Sequence, residues 1–456
     1  MKLTVIPNQT NPSKSHSFTI TIIAVSILSG ASVSVSAQNI FTPTGQQLTS
    51  GNAVSTGDYY SSSYNPAAPS YLLKGTNGLD ANILGPFTGG YELGKIDSLI
   101  DELDELVDIL DQDELTAEEA LDAKNRFDPF LENAARDGMV KFGGALNIPL
   151  LPLMYHSNDL GTFYANLSLS GSVRSTVLDD DIDIINVNDS FKINTSAALY
   201  LKGSALTSFS VGYSRPVYKL KDGLLHAGVG VNINNYQLSK NVISLAGLED
   251  GEDVGDAIKN DYEQNQTSTT NVGIDLGLLY ASKNFTAGFT VKDINEPEYD
   301  YGEIPLDAEA CNSLSGMSVD NCFVAQDAVA AGKISANEVY VANAQANISA
   351  STWIGDKVKW GLHTSVDLNE KNDAIGDQYQ WANFGASVKW NNWFIPELRL
   401  GYTKNLAGTE LGYYSFGVTF FKRAELDIRF SDEQVEIDDS NGPRSAYFSF
   451  AIQSKF

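Results

Sequence analysis

The chain has 456 residues, 57 acidic against 30 basic side chains, and a net charge of −27. So acidic a surface repels polyanions, which excludes a nucleic-acid-binding role. The length allows two or three ordinary domains or one large barrel.

Residues 1–37 have the pattern of an export signal. Lys2, Lys14 and His16 precede an apolar stretch from Phe18 to Leu28, and small residues lead to Val35-Ser36-Ala37. This is a charged region, a short apolar region and an Ala-x-Ala-like cut site, with cleavage expected after Ala37. Gln38 follows where a lipid-anchored protein would have Cys. No other stretch reaches about 18 apolar residues, so no membrane-spanning helix is expected. Residues 38–81 are not strand-like and include Ser55–Leu73, "STGDYYSSSYNPAAPSYLL". Pro66 fixes its own φ and holds Asn65 extended, and an Asn side chain there bonds nearby backbone. An ordinary turn would use Asn65-Pro66-Ala67 in the same way.

Residues 82–456 carry repeated period-two alternation, with a helical insertion at 95–137 and a long loop at 295–336. In the insertion, Ile96, Leu99, Ile100, Leu103, Leu106, Val107 and Leu110 form a helical stripe. Thr116 and Glu119 have the spacing of a capping box that opens a second helix. Carboxylates crowd the polar face, as on a solvated cap or on an element that grips a partner. Further on, Phe163, Ala165, Leu167 and Leu169 alternate with Tyr164, Asn166, Ser168 and Ser170. Val272, Ile274, Leu276 and Leu278 alternate with Gly273, Asp275 and Gly277, and Ala424, Leu426, Ile428 and Phe430 with Glu425, Asp427 and Arg429. These are strands with one apolar and one polar face. No apolar face carries a charge. A soluble fold would need a second apolar layer to cover so much one-sided sheet. A closed transmembrane barrel needs none, because the apolar face meets lipid and the polar face a lumen. The fold class expected is therefore all-β, an antiparallel transmembrane β-barrel.

Topology sets the strand number. Counted back from the C-terminus, long and short connections alternate as far as residues 220–223. The rule then requires residues 191–218 to be one long strand bent at Gly203. That yields about fourteen strands, the even number bacterial barrels use, with both termini on the short-turn side. The two cysteines, Cys311 and Cys322, lie in a long loop and should pair in an oxidising compartment, stapling it locally. All five tryptophans lie between Trp353 and Trp393; Trp353, Trp360, Trp390 and Trp393 flank two short turns and are expected in the membrane–water girdle. The last strand ends "AYFSFAIQSKF". Phe448, Phe450, Ile452 and Phe456 share its apolar face.

By parity, Arg174, Lys202, Asp275, Lys292, Lys359, His363, Asp367, Lys389, Glu397, Arg399, Glu425, Asp427 and Arg429 face inward, mostly as mutually paired wall residues. Leu178–Ile184 and Leu248–Asp256 are acidic, but neither has the spacing of a calcium loop, so solvated loops are preferred. No zinc-protease, serine-hydrolase or phosphate-loop motif is present, so neither catalysis nor a cofactor nor a metal is expected.

Asp58-Tyr59 through Asn65-Pro66-Ala67, just ahead of a barrel, resembles two related outer-membrane families. One is the FadL-type transporters of long-chain fatty acids and other hydrophobic compounds, where an N-terminal hatch with Asn-Pro-Ala plugs a fourteen-strand barrel. The other is the conjugal-transfer TraF-like outer-membrane proteins, to which the Asp58–Ala67 stretch and the Asp/Leu-rich run from Lys95 are closer. The resemblance implies that Asn65, Pro66 and Ala67 sit on a hatch inside the barrel. The C-terminal pattern resembles the signal by which the barrel-assembly machinery recognises outer-membrane barrels, although Ser454 departs from it. The expected role is passive uptake of small hydrophobic molecules by a monomeric barrel in outer-membrane lipid. The alternative is a structural or surface-interaction component linked to plasmid transfer or cell contact.

Overall fold

The computed structural model describes residues 43–55, 58–73, 77–112, 114–187, 190–248, 265–314, 317–437 and 440–453. Residues 1–37, expected to be an export signal, together with Phe456 and most of Leu248–Asp256, lie outside them. Three one-turn helices come first: α1 (Gln47–Ser50), α2 (Ser61–Tyr64) and α3 (Pro69–Leu72). Strand β1 follows in two pieces, Gly78–Ala81 and Leu84–Leu93. Two longer helices, α4 (Leu99–Leu110) and α5 (Ala117–Asp137), lead to β2, again in two pieces, Met139–Asn147 and Leu153–Ser157. The wall continues with β3 (Gly161–Leu178), β4 (Ala198–Lys219), β5 (Gly223–Ser244), β6 (Thr267–Ser282) and β7 (Phe285–Lys292). Helices α6 (Ala308–Asn312) and α7 (Met317–Ala330) interrupt it before β8 (Gln345–Ile354), β9 (Val358–Asp367) and β10 (Trp381–Trp390). It ends with β11 (Glu397–Asn405), β12 (Gly412–Phe420), β13 (Ala424–Ser431) and β14 (Ser445–Ile452).

Every strand pairs antiparallel with its neighbours in sequence, and β1 pairs with β14, so fourteen strands close on themselves. Closure leaves no unpaired edge, which hydrocarbon demands. Accessibility runs opposite to that of a soluble protein. Leu276, Leu426, Ile428, Phe430, Phe448 and Phe450 are exposed, whereas Asp275, Glu425, Asp427, Arg429 and Ser449 are buried. Apolar groups outside and charges inside are what lipid and a hydrated lumen select.

Short turns at 158–160, 220–222, 283–284, 355–357, 391–396 and 421–423 share one rim with both ends of the wall. The long connections share the other. β4 is a single 22-residue strand, as the alternation of connections requires, but it starts at Ala198 rather than at residue 191: Ser190–Asn194 pairs with Asp183–Val187 in a separate hairpin. The bend expected at Gly203 is absent. Gly203 pairs in unbroken register with Val173 and Ser239, and the irregularity falls at Pro216–Tyr218. Pro216 lacks the N–H that would continue the ladder, so the disruption belongs there. The wall also begins at Gly78, where β1 pairs with β2 through Gly78↔His156, rather than at residue 82.

β4 and β5 each run 22 residues, far more than a hydrocarbon layer needs at about 3.3 Å per residue. Their tall ends carry the helical insertion. Leu106, Phe127 and Leu131 pack with Val177, Leu201 and Ile243 into one apolar cluster. Thr116 and Glu119 form a reciprocal capping box at the start of α5. Cys311 and Cys322 are disulfide-bonded, with Cα atoms 5.5 Å apart, joining α6 to α7.

Candidate functional site: the closed lumen

The segment ahead of β1 lies inside the barrel and follows the inner wall. The Gly45 N–H donates to Ser449 Oγ on β14 at 2.9 Å, and Thr49 Oγ1 donates to Asp427 on β13 at 3.2 Å. The Asn52 N–H donates to Ser365 on β9 at 3.0 Å, and Thr286 on β7 donates to the Val54 carbonyl at 2.9 Å. Asn65 Nδ2 donates to the Leu278 carbonyl on β6 at 3.2 Å, while Asn65 Oδ1 accepts the Ala67 N–H at 2.9 Å, a local bridge across Pro66. The Ser70 N–H reaches Ser214 on β4 at 3.0 Å, and Ser70 Oγ lies 2.7 Å from His226 Nδ1 on β5. These contacts run from the last strand round to the fourth.

The close approach depends on glycine. A Cβ at Gly228 would collide with the Pro66 carbonyl, and one at Gly277 with the Asn65 side chain. Both glycines occupy inward positions of β5 and β6, where only hydrogen leaves room for a second backbone.

Two connections fold inward at the opposite rim. The 293–344 connection forms a small hairpin, Glu298–Asp300 with Val339–Val341. It places Tyr299 and Tyr340 on Tyr236 of β5, with centroids at 4.4 and 5.3 Å. The 368–380 connection, between β9 and β10, crosses the lumen as a strap. Ala374 at its tip joins the tyrosine cluster, and Ile375 is fully buried. Asp373 lies 3.3 Å from Lys141 Nζ on β2, Asp377 also pairs with Lys141, and Asp377 lies 3.2 Å from Arg174 Nε on β3. Strands β2 and β9 are diametrically opposed in a ring of fourteen. Burial raises the Asp373 carboxyl against the pull of Lys141. At Asp377 burial acts the same way, but the Lys141 and Arg174 charges outweigh it and hold the carboxyl below its ordinary range.

Polar cavities lie between the N-terminal segment and the inner wall. One of about 80 Å³ is lined by Asn166, Ser168, Asn232, Asp275 and Lys292. A second of about 100 Å³ is lined by Gln47, Lys292, Asp367, Lys371 and Arg429. At the short-turn rim a larger cavity of about 420 Å³ is lined by Gln46, Lys359, Lys389, Glu397 and Glu425. Arg399 and Asp427 form a buried ion pair at 3.0 Å. Arg429 is enclosed by Trp381, Tyr413 and Tyr447, its guanidinium 4.4–4.9 Å from their centroids.

Most inward-facing charges read from parity are where expected, and Lys359 reaches the lumen only at its rim. Trp353 is a correction. It shares the inner face of β8 with buried Ser351, meets His363 edge-on at 5.3 Å and carries Lys389 Nζ at 3.7 Å. Its neighbour Ile354 is the outward residue, 63% exposed. Strand parity overrides its nearness to a turn, so Trp353 is a lumen residue. Trp360 and Trp393 are 61% and 52% exposed, and Trp390 is partly buried. No group of His, Cys, Asp or Glu suited to a metal ion occurs among the described residues. Sequence reasoning passed over Lys141, Lys240, Asp373 and Asp377. Acidic loop residues resemble any solvated connection until their partners on the opposite wall are known.

The model of the family described as "F plasmid transfer operon, TraF, protein" matches residues 62–367, which is 306 of the 456 residues. The chain belongs to this family. No curated protein matches it in sequence. Among solved structures it is similar to a FadL homologue of Pseudomonas aeruginosa, with 10% identity over 92% of this chain and 99% of that one and a TM-score of 0.40. It is also similar to the toluene transporter TodX of P. putida, with 11% identity, 91% and 99% coverage and a TM-score of 0.39. The Ralstonia pickettii toluene transporter TbuX gives 11% identity, 90% and 97% coverage and a TM-score of 0.39.

Proposed function

We propose that this TraF-family barrel sits as a monomer in the bacterial outer membrane, reached through a cleaved signal at 1–37. There it takes up small molecules passively through a lumen closed by its own N-terminal hatch. The run of hatch contacts from β14 to β4 carries this reading. A segment so placed obstructs the route from rim to rim, and passage requires its displacement. Asn65, Pro66 and Ala67 anchor the hatch, Trp360, Trp390 and Trp393 sit in the interfacial girdle, and Phe448, Phe450 and Ile452 present the face read by the assembly machinery.

Small hydrophobic compounds are one candidate cargo. The polar cavities favour solutes that also carry a polar or charged group. The test is uptake into proteoliposomes, comparing toluene with a small dicarboxylate. The Gly228→Val and Gly277→Val variants, which crowd the hatch off the wall, should raise uptake several-fold. Rates equal to those of the unsubstituted barrel, with folded variants, would refute a gating hatch. The second reading, a structural component of plasmid transfer or cell contact, draws on the family description. It predicts that a deletion strain loses mating efficiency while its uptake is unchanged.

A further inference from the structure

Pairing register brings four cations into one row on the inner wall. Lys141 of β2 stands directly opposite Arg174 of β3, Arg174 opposite Lys202 of β4, and Lys202 opposite Lys240 of β5. Directly opposed residues of adjacent strands have Cβ atoms about 4.5–5.5 Å apart, where like charges repel. Lys141 and Lys240 are almost completely buried, Lys202 nearly so, and Arg174 about one-quarter exposed at its side chain. Such a row persists only if anions face it. On the wall itself, Glu92 of β1 stands opposite Lys141. The remaining partners come from the two infolded connections. Lys202 pairs with Glu338 and lies over Tyr301 at 5.0 Å, and Lys240 donates to the carbonyls of Ser335 and Ala336 at 2.9 and 2.7 Å. Lys141 and Arg174 are met by Asp373 and Asp377 of the strap.

The strap carboxylates are arranged as a ligand would be. Asp373 Oδ1 accepts the N–H groups of Ile375 and Asp377 at 3.0 and 2.9 Å, which fixes the turn, while its Oδ2 faces Lys141. Asp377 then bridges Lys141 and Arg174. Two negative charges on a tight turn, converging on Lys141 and offered to two cations of a continuous wall, have the charge of a small dianion. If the strap lifts, Lys141 and Arg174 lose the Asp373 and Asp377 carboxylates while Glu92 still stands opposite Lys141, and withdrawing counterions from buried cations is costly. An incoming anion restores the balance.

We propose that Lys141 and Arg174, extended by Lys202, form a capture site for the doubly anionic group of an incoming solute, a dicarboxylate or a phosphate, which Asp373 and Asp377 occupy in the closed barrel as an internal competitor. The site deepens the uptake reading, since it rests on the lumen being the solute's path. Anion binding releases the strap, and the strap's return expels the anion.

Strap release is testable without transport. The only two cysteines are paired in the disulfide, so Ala374→Cys introduces a single reactive thiol at the buried strap tip. Its labelling by a membrane-impermeant maleimide is measured on the full barrel in proteoliposomes, with folding checked by heat-modifiable gel mobility. Labelling should be slow in sodium chloride and several-fold faster in inorganic pyrophosphate at matched ionic strength, which separates binding from screening. Adding Asp373→Asn and Asp377→Asn should make it fast in both salts, and adding Arg174→Gln should abolish the pyrophosphate effect. Ile375→Cys replaces the reporter if Ala374→Cys does not fold. Equal rates in the two salts, with the aspartate variant fast, would overturn the capture site. An aspartate variant as slow as its parent would overturn the latch. A barrel that transports nothing still gives this readout, so failure of the uptake reading registers separately.

Discussion

Trp353 and Trp360 lie on adjacent strands, yet one faces the lumen and the other the outside. In vesicles of brominated phospholipid, a variant retaining only Trp360 should be strongly quenched. One retaining only Trp353 should keep most of its emission. Equal quenching of the two would contradict the inward placement of Trp353. At this scale the sequence conveys the parity of a side chain far better than its partner. Asp275, Glu425 and Asp427 are inward by alternation alone and are buried in the structure. The cation row is not legible in this way. Lys141, Arg174, Lys202 and Lys240 are scattered along the chain, and only the register of four strands aligns them. The glycines facing the hatch left a weak signal, because Gly228 and Gly277 stand on polar faces made of Gly, Asn, Asp and His. That pattern says something approaches closely without saying what.

Among the elements, α4 and α5 were the most legible, through the helical stripe and the Thr116–Glu119 spacing. The contacts between them were not. Arg126 of α5 bonds Glu102 of α4 at 2.9 Å and also pairs with Glu105. These groups are well exposed, so the clamp contributes only ~0.2–1 kcal/mol. Arg126→Ala should therefore raise amide exchange in α4 a few-fold without unfolding the barrel. The hydrogen bond from Arg126 holds the Glu105 carboxyl below its ordinary range. A depressed carboxyl stabilises the folded form above its ordinary value, and that contribution is lost as pH falls through the depressed one. Intrinsic-rate-corrected exchange in α4 should accordingly rise on acidification, and less so in Arg126→Ala. A change of equal size in both proteins would remove the clamp from the account. Nothing local in the sequence marks Asp373 or Asp377 of the strap as facing inward. The strap's inward fold is decided by cations contributed from the far wall.

For the whole molecule, the inverted placement of apolar and charged groups makes the two faces of one strand respond oppositely to substitution. Ile428 lies mid-strand on the outer face of β13, flanked by inward Asp427 and Arg429. Ile428→Lys should cost about 2–4 kcal/mol, as charges do near the bilayer midplane. Reversible denaturant unfolding in lipid vesicles measures it. A cost near zero would remove Ile428 from the hydrocarbon. Pairing of β1 with β14 has a further consequence for biogenesis. The hatch residues enclosed by the wall precede its first strand in the chain, while the seam that shuts the cylinder needs its last. The polypeptide must therefore wrap its own leading portion as it curls, much as a scroll is rolled round its rod, and a truncated chain would present an open sheet beside an unhoused thread.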